Sequence, residues 1–127
     1  MKFSIALADL ESLLRAVLPG RVLEADTLTL SACAARAFVD TKTTIAGMEA
    51  LVYSDGAVRV AAKGFREVLK TYKGTRFLVF EGGANGLRVQ NFHMPVLAYD
   101  PAPQPPGDFQ VFRTSAPPAA GSEPSRE

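Results

Sequence analysis

The chain has 127 residues, of which 47% are hydrophobic and 21% are charged. This length supports one domain with a buried core and is short for two. The formal net charge is +1, which excludes a protein that coats nucleic acid through bulk positive charge. Any binding to a polyanion must therefore come from a local cluster of cations.

The N-terminal segment predicts a strand followed by a helix. Phe3, Ile5 and Leu7 recur at every second position, which is typical of a strand with one buried face. Residues 10–18 then carry leucine and valine at helical spacing, and Pro19-Gly20 ends the pattern.

The middle of the chain predicts a series of strands joined by short turns. Residues 27–39 have β-type composition and period-two alternation, so we expect extended structure throughout. Residues 43–53 predict a further strand or a bent pair, with Gly47 as a candidate β-bulge. The Ser-Asp-Gly sequence at 54–56 is typical of a tight turn, so we expect a hairpin between residues 51–53 and 57–61.

Residues 63–73 predict an amphipathic helix with one basic face. The cations recur at spacings of three and four, and the apolar residues occupy the complementary spacing. The cations are Lys63, Arg66, Lys70 and Lys73, and Gly74 follows at the usual place for a helix-ending glycine. Such a stripe fits a polyanionic partner, although the solvated side of an ordinary surface helix has the same pattern.

The C-terminal third predicts a hairpin, an edge strand and a tail. Two strand-like runs flank the glycine-rich residues 82–86, which resemble a hairpin loop and not a phosphate cradle, because a strand follows them. Residues 109–112 predict an edge strand after a proline-rich stretch. The expected organisation is one α+β domain over residues 1–113 and a flexible tail, rich in Pro, Ser and Ala, over residues 114–127.

The chemistry-bearing residues do not indicate an enzyme. The chain has one histidine, His93, and one cysteine, Cys33, and its carboxylates fall mainly at turns. We therefore expect no catalytic residues, no metal site and no cofactor. The unpaired cysteine and the lack of a long apolar segment lead us to expect a cytoplasmic protein without membrane contact.

Two parts of the sequence together resemble one domain of the bacterial DNA polymerase III β sliding clamp. The first is residues 1–5 followed by the helical residues 10–18. The second is residues 55–63, in which a strand ends in a short small-residue and lysine segment that opens the helix at 65–69. The resemblance covers about the first hundred residues. It implies a DNA-clamp-like α+β fold with two helices packed on one face of an antiparallel sheet.

The resemblance also implies a function. Clamp domains close into a ring whose helices surround duplex DNA, so the residues expected to contact DNA are Arg15, Lys63, Arg66, Lys70 and Lys73. Their contacts would be to phosphates, independent of sequence and sensitive to salt. A chain with one such unit implies a homo-oligomer of about six copies for a closed ring. Replication or repair proteins are further candidate partners for a processivity factor of this kind.

Two other functions remain open from the sequence. The first is a protein-interaction or scaffold module with a clamp-like fold and no DNA binding, which recruits a partner through its open edge strands. The near-neutral net charge favours this alternative. The second is a small-ligand binder with an apolar pocket near Tyr53, Tyr72 and Tyr99.

Overall fold

The computed structural model describes residues 1–18 and 20–112. Within these residues it contains two α-helices, α1 (Leu7–Val17) and α2 (Ala62–Thr71). It also contains eleven strands: β1 (Lys2–Ala6), β2 (Thr27–Cys33), β3 (Arg36–Asp40), β4 (Ile45–Glu49), β5 (Leu51–Ser54), β6 (Gly56–Ala61), β7 (Phe77–Gly83), β8 (Gly86–Val89), β9 (Phe92–Met94), β10 (Ala98–Asp100) and β11 (Gln110–Phe112).

The strands form two sheets, which together with the helices give the expected α+β fold class. The first sheet has the order β5-β1-β7-β8-β9, and the second has the order β10-β6-β2-β3-β4-β11. The sequence predicted one sheet, and the division into two is a finding of the structure. Every pairing is antiparallel except that of β11 with β4.

The chain path repeats itself, because a strand-helix-strand-strand-strand unit occurs twice. The first unit is β1, α1, β2, β3 and β4, and the second is β6, α2, β7, β8 and β9. Each sheet combines the first strand of one unit with the last three strands of the other, since β1 pairs with β7 and β6 pairs with β2. The two helices therefore occupy equivalent places in the fold. The remaining strands, β5, β10 and β11, lie at sheet edges.

Both helices begin directly from a strand. Ala6 and Ala61 are the N-cap residues, and both have extended backbone geometry without a side-chain cap. Helix α1 buries the apolar face that the sequence predicted, and it ends at Leu18, which is extended. The residue that follows Leu18 in the sequence is a proline, which disfavours helical geometry in the residue before it.

Helix α2 confirms the predicted helix but ends two residues early. It includes Lys63, Arg66 and Lys70, whereas Lys73 lies in the turn that follows Thr71. Gly74 has a φ of +96°, so the turn uses the left-handed conformation that glycine adopts most readily.

The core lies between the inner faces of the sheets and the buried faces of the helices. Three phenylalanines from different elements meet there, each no more than 1% exposed. Phe3 stacks on Phe80 with ring centroids 5.0 Å apart, and Phe65 of α2 contacts Phe80 at 6.0 Å. Aromatic packing of this kind fixes α2 relative to the first sheet and sets the direction of its exposed face.

Two predicted connections differ in the structure. Asp55 alone connects β5 to β6, but β5 pairs with β1 and β6 pairs with β2. These strands therefore belong to different sheets and form no hairpin. The predicted continuous run over residues 27–39 is instead a hairpin, turning at Ala34 and Ala35. Both alanines have positive φ, 53° and 59°, which is the geometry of a type I′ turn.

Gly47 is not a bulge. Its pairing with Phe38 is in regular register between β3 and β4. A Cβ at Gly47 would lie 2.5 Å from Cδ1 of Phe38, so the glycine is required for the ring of Phe38 to lie over it.

The hairpin and the edge strand predicted in the C-terminal third are confirmed. Strands β7 and β8 pair across a loop of two residues, Ala84 and Asn85. Strand β11 lies at the edge of the second sheet, and Phe109 before it packs edge-on against Phe38 at 4.9 Å. Two strands were not predicted. The run after the loop was expected to form one strand over residues 87–92, but β8 ends at Val89 and the chain turns back into β9. Strand β10, which pairs with β6, was also not predicted. The predicted tail at 114–127 lies outside the described residues, so the domain boundary at 113 stays a prediction.

Candidate nucleic-acid interface

A groove runs between the two helices. It has a volume of about 370 Å³, and its lining comes from both helices and from the segment that follows α1. The N-cap residues of the two helices, Ala6 and Ala61, are 55 positions apart in the sequence. Three pairs of groove-lining residues have the same separation: Glu11 with Arg66, Leu14 with Leu69, and Arg15 with Lys70. The groove thus lies between equivalent faces of α1 and α2.

The structure brings together three of the five predicted DNA-contacting residues. Arg15 of α1 lies at the groove with Arg66 and Lys70 of α2. Lys63 lies in the first turn of α2 and Lys73 lies beyond its end, and neither lines the groove. Arg66 is half-buried, and the other four are exposed. The helix that carries most of these cations has its hydrophobic side in the core, so its basic side faces solvent.

Carboxylates partly neutralise two of these cations. Lys63 Nζ lies 2.7 Å from Oε2 of Glu24, and Lys70 Nζ lies 3.2 Å from Oε2 of Glu67. The hydrogen bond between Lys63 and Glu24 lowers the pKa of the Glu24 carboxyl and raises the pKa of the Lys63 ammonium. Both pairs are exposed, so each contributes little to the free energy of unfolding and can be exchanged for another anion.

The two arginines at the groove have no such partner among residues 1–18 and 20–112. Arg15 donates to Oγ of Ser12 at 3.3 Å, and Arg66 donates to the carbonyl oxygen of Gly20 at 3.5 Å. Neither guanidinium lies within 4.0 Å of a described carboxylate. A guanidinium in this position can bind a phosphate or carboxylate oxygen through two parallel hydrogen bonds.

The acidic residues of α1 differ in their effect on this surface. Glu11 is half-buried and lines the groove on α1, four positions before Arg15. Asp9 is only 2% exposed, so its carboxyl does not belong to the surface that a ligand would meet. The sequence pattern placed both acids on the same helix but did not distinguish them. Their burial shows that Glu11, and not Asp9, is the acidic residue of α1 that lines the groove.

Other candidate sites receive no support from the described part of the chain. Within it, no group of three or more His, Cys, Asp and Glu residues could hold a metal ion. No described helix has both the length and the apolar character needed to cross a membrane. Cys33 is buried, and burial raises the pKa of its thiol. The three tyrosines of the predicted ligand pocket are dispersed, with Tyr53 on β5, Tyr99 on β10 and Tyr72 after α2.

No protein-family model matches the sequence, and no curated protein matches it significantly. Solved structures do match it. The β clamp of Helicobacter pylori bound to a DNA ligase peptide aligns over 77% of this chain and 31% of its own, with 20% identity and a TM-score of 0.61.

Two Caulobacter crescentus structures give the same result. The pol III β structure aligns over 88% of this chain and 32% of its own, with 23% identity and a TM-score of 0.62. A DNA polymerase sliding clamp from the same organism aligns over 91% of this chain and 33% of its own, with 22% identity and a TM-score of 0.60. The chain therefore spans about a third of the length of the clamps it matches. It has the fold of a bacterial β sliding clamp domain, as its sequence predicted.

Proposed function

We propose that the chain is a non-catalytic, clamp-like module that holds duplex DNA through its two helices and acts as a self-associated assembly. The observation that carries this proposal is the meeting of Arg15, Arg66 and Lys70, from two different helices, at one exposed groove. The clamp fold adds support, because one of the matched proteins is named a DNA polymerase sliding clamp.

The contact surface would act on phosphates and not on bases. Arg15 and Arg66 have no carboxylate partner among the described residues, so each guanidinium can bind phosphate oxygens. The exposed Lys63, Lys70 and Lys73 would act as point charges. Exchange of Glu24 and Glu67 for DNA phosphates would release the two paired lysines. Contacts of this type fix a protein on DNA without reading its sequence, and they weaken as salt displaces them.

Fluorescence anisotropy with a labelled duplex tests this contact. We expect the wild-type protein to bind at low salt. The double variant Arg66→Glu with Lys70→Glu should bind more weakly, and the slope of log affinity against log salt should fall by about 2. The matched control is Lys2→Glu with Arg59→Glu, which makes the same change of charge on strands β1 and β6 and should bind like the wild type. No duplex binding by the wild-type protein at low salt would refute the proposed contact.

Self-association would use the open sheet edges. Strands β5 and β9 are the two edges of the first sheet, and both carry exposed apolar side chains. Leu51 and Tyr53 on β5 are 60% and 58% exposed, and Phe92 on β9 is 45% exposed. Pairing of β5 in one copy with β9 in the next would continue the sheet in a head-to-tail manner, which closes into a ring when the rotation permits.

Light scattering during gel filtration tests the assembly. The wild-type protein should have a mass several times that of the 13.6 kDa chain at high concentration. Leu51→Lys with Tyr53→Lys places charges on the β5 edge and should lower the mass. A matched control places two lysines at exposed positions away from that edge, Thr43→Lys with Thr75→Lys. A wild-type monomer at high concentration would contradict assembly.

A specific surface favours a second candidate function, that of a protein-interaction scaffold. Ser4 pairs with Leu51 on one side and with Val79 on the other, so these three side chains share the outer face of the first sheet. Leu51 and Val79 are exposed, as is Phe77 on the same strand as Val79. Replication and repair proteins are candidate partners, since one matched clamp was solved with a DNA ligase peptide. Partner binding without duplex binding would select this function.

A further inference from the structure

We infer that the groove between α1 and α2 is also a docking site for an acidic amphipathic peptide helix, which competes there with DNA. The first observation is that the groove has two kinds of surface. Among its lining residues, Arg15, Arg66 and Lys70 are basic and form the rim, whereas the leucines, two of which are at most 6% exposed, form the floor. Duplex DNA accounts for the rim, because phosphates bind cations. It does not account for the floor, because the sugar-phosphate backbone has no projecting aliphatic side chain that could fill an apolar groove.

The floor is suited to one or two aliphatic side chains. Leu14 and Leu69 are nearly buried and provide the base, and the half-buried Leu18 leaves part of its side chain open to the groove. The volume of about 370 Å³ lies within the range of pockets that bind small ligands. A groove between two helices is also a common receptor for a third helix, which places apolar residues at positions i and i+4 into it.

The charge of the groove favours an acidic ligand. Among the described residues, three cations and one carboxylate, Glu11, line the groove, and Glu67 pairs with one of these cations, Lys70. The local charge is therefore still positive, although the whole chain is almost neutral. The guanidiniums of Arg15 and Arg66 have no carboxylate partner among the described residues, so each is available to a carboxylate of the ligand. A peptide with leucines on one face and glutamates beside them would satisfy the floor and the rim together.

The equivalence of the two helices explains why such a groove exists. Leu14 and Leu69 occupy the same position in the two units, as do Arg15 and Lys70. The groove is therefore apolar along its middle and has at least one cation on each wall. Glu11 breaks this equivalence at the position that corresponds to Arg66, so the occupant should lie with fewer acidic residues near Glu11. Binding of the peptide stands independently of DNA, whereas the competition rests on the proposed function.

The test uses a synthetic, fluorescein-labelled helical peptide of about 14 residues with two leucines four positions apart and flanking glutamates. One control peptide has both leucines replaced by serine, and a second has the glutamates replaced by glutamine. We expect the full chain to bind the parent peptide at least about fivefold more tightly than either control. The serine control leaves the protein unchanged, so its result does not depend on the folding of a variant.

Two protein variants separate the peptide site from the DNA contact. Leu18→Ser should lower the affinity for the parent peptide about fivefold and leave the affinity for duplex DNA unchanged. Lys63→Gln should lower the affinity for duplex DNA and leave the affinity for the peptide unchanged, since Lys63 does not line the groove. Unlabelled duplex should displace the peptide from the wild-type protein. Equal binding of the leucine and serine peptides, or no effect of Leu18→Ser, would overturn the inference. Peptide binding without any duplex binding would uphold the docking site and refute only the DNA function.

Discussion

Lys63 and Glu24 form an ion pair that joins the first turn of α2 to the segment between α1 and β2, with Nζ and Oε2 2.7 Å apart. Both side chains are exposed, at 53% for Lys63 and 85% for Glu24. The pair therefore reduces the positive charge of the proposed DNA-binding surface while contributing little to folding. Glu24 would therefore compete with DNA phosphates for Lys63 if this surface binds DNA as proposed.

Removal of this competitor should strengthen duplex binding. We expect Glu24→Gln to raise the duplex affinity roughly threefold at low salt and to increase the magnitude of the salt slope by about 1, because Lys63 becomes free to contact a phosphate. Fluorescence anisotropy at several salt concentrations measures both quantities. The matched control is Glu49→Gln, the same change at an exposed position on β4. An equal gain in both variants would show that the effect comes from net charge alone and not from the release of Lys63.

The turn between β2 and β3 should be improved by substitution. Ala34 and Ala35 both have positive φ. This conformation is unfavourable for most residues that have a Cβ atom, whereas glycine adopts it freely and asparagine tolerates it. Ala34→Asn with Ala35→Gly should therefore raise the free energy of unfolding by about 1 kcal/mol. The urea midpoint measures this change. Ala84→Gly is the control, because Ala84 lies in another hairpin loop and has no positive φ, and it should give no gain.

Gly47 should not tolerate a side chain. A methyl group there would meet the ring of Phe38 at 2.5 Å, and Phe38 is held in turn by Phe109. We expect Gly47→Ala to lower the free energy of unfolding by about 2 kcal/mol. Gly83→Ala adds the same methyl group where no atom lies within 4 Å, and it should change stability little. Thermal unfolding followed by circular dichroism compares the two, and similar midpoints would contradict the close packing of Phe38 on Gly47.

Asp40 should make stability depend on pH. Burial raises the pKa of its carboxyl above the usual value in the folded protein, so the folded state holds this proton more tightly than the unfolded chain does. The contribution of Asp40 to stability is therefore greatest in acid and is lost as pH rises through the raised pKa. Asp40→Asn should stabilise the protein relative to the wild type at pH 7, and by less near pH 4. An equal difference in urea midpoint at both pH values would contradict this assignment.

The sequence predicted most elements but not their pairing. The period-two and helical patterns located β1, α1 and α2, because each of these elements has one buried face. The Ser-Asp-Gly turn suggested a hairpin, yet β5 and β6 lie in different sheets, since pairing depends on contacts distant in sequence. The turn at Ala34 and Ala35 was missed because it contains none of the residues that usually favour positive φ.

The candidate site was predicted in part, for a related reason. The spacing of Lys63, Arg66 and Lys70 in α2 places them on one helical face without further information. The position of Arg15 beside them depends on how α1 packs, and here only the resemblance to a clamp domain pointed to it. No local sequence pattern predicts the ion pair between Lys63 and Glu24 or the groove between the helices. Both arise from tertiary contacts between segments that no local pattern connects.

Lysine footprinting tests most directly whether the helical surface contacts duplex DNA. The chain has five lysines, and Lys63, Lys70 and Lys73 belong to the proposed surface. Lys2 serves as the internal reference, because it lies on β1 and not on a helix. Brief acetylation with and without a saturating duplex, followed by mass spectrometry, reports the protection of each lysine. We predict that the duplex protects Lys63, Lys70 and Lys73 and leaves Lys2 fully reactive. Equal acetylation of all three with and without DNA, or protection of Lys2 instead, would contradict the proposed function.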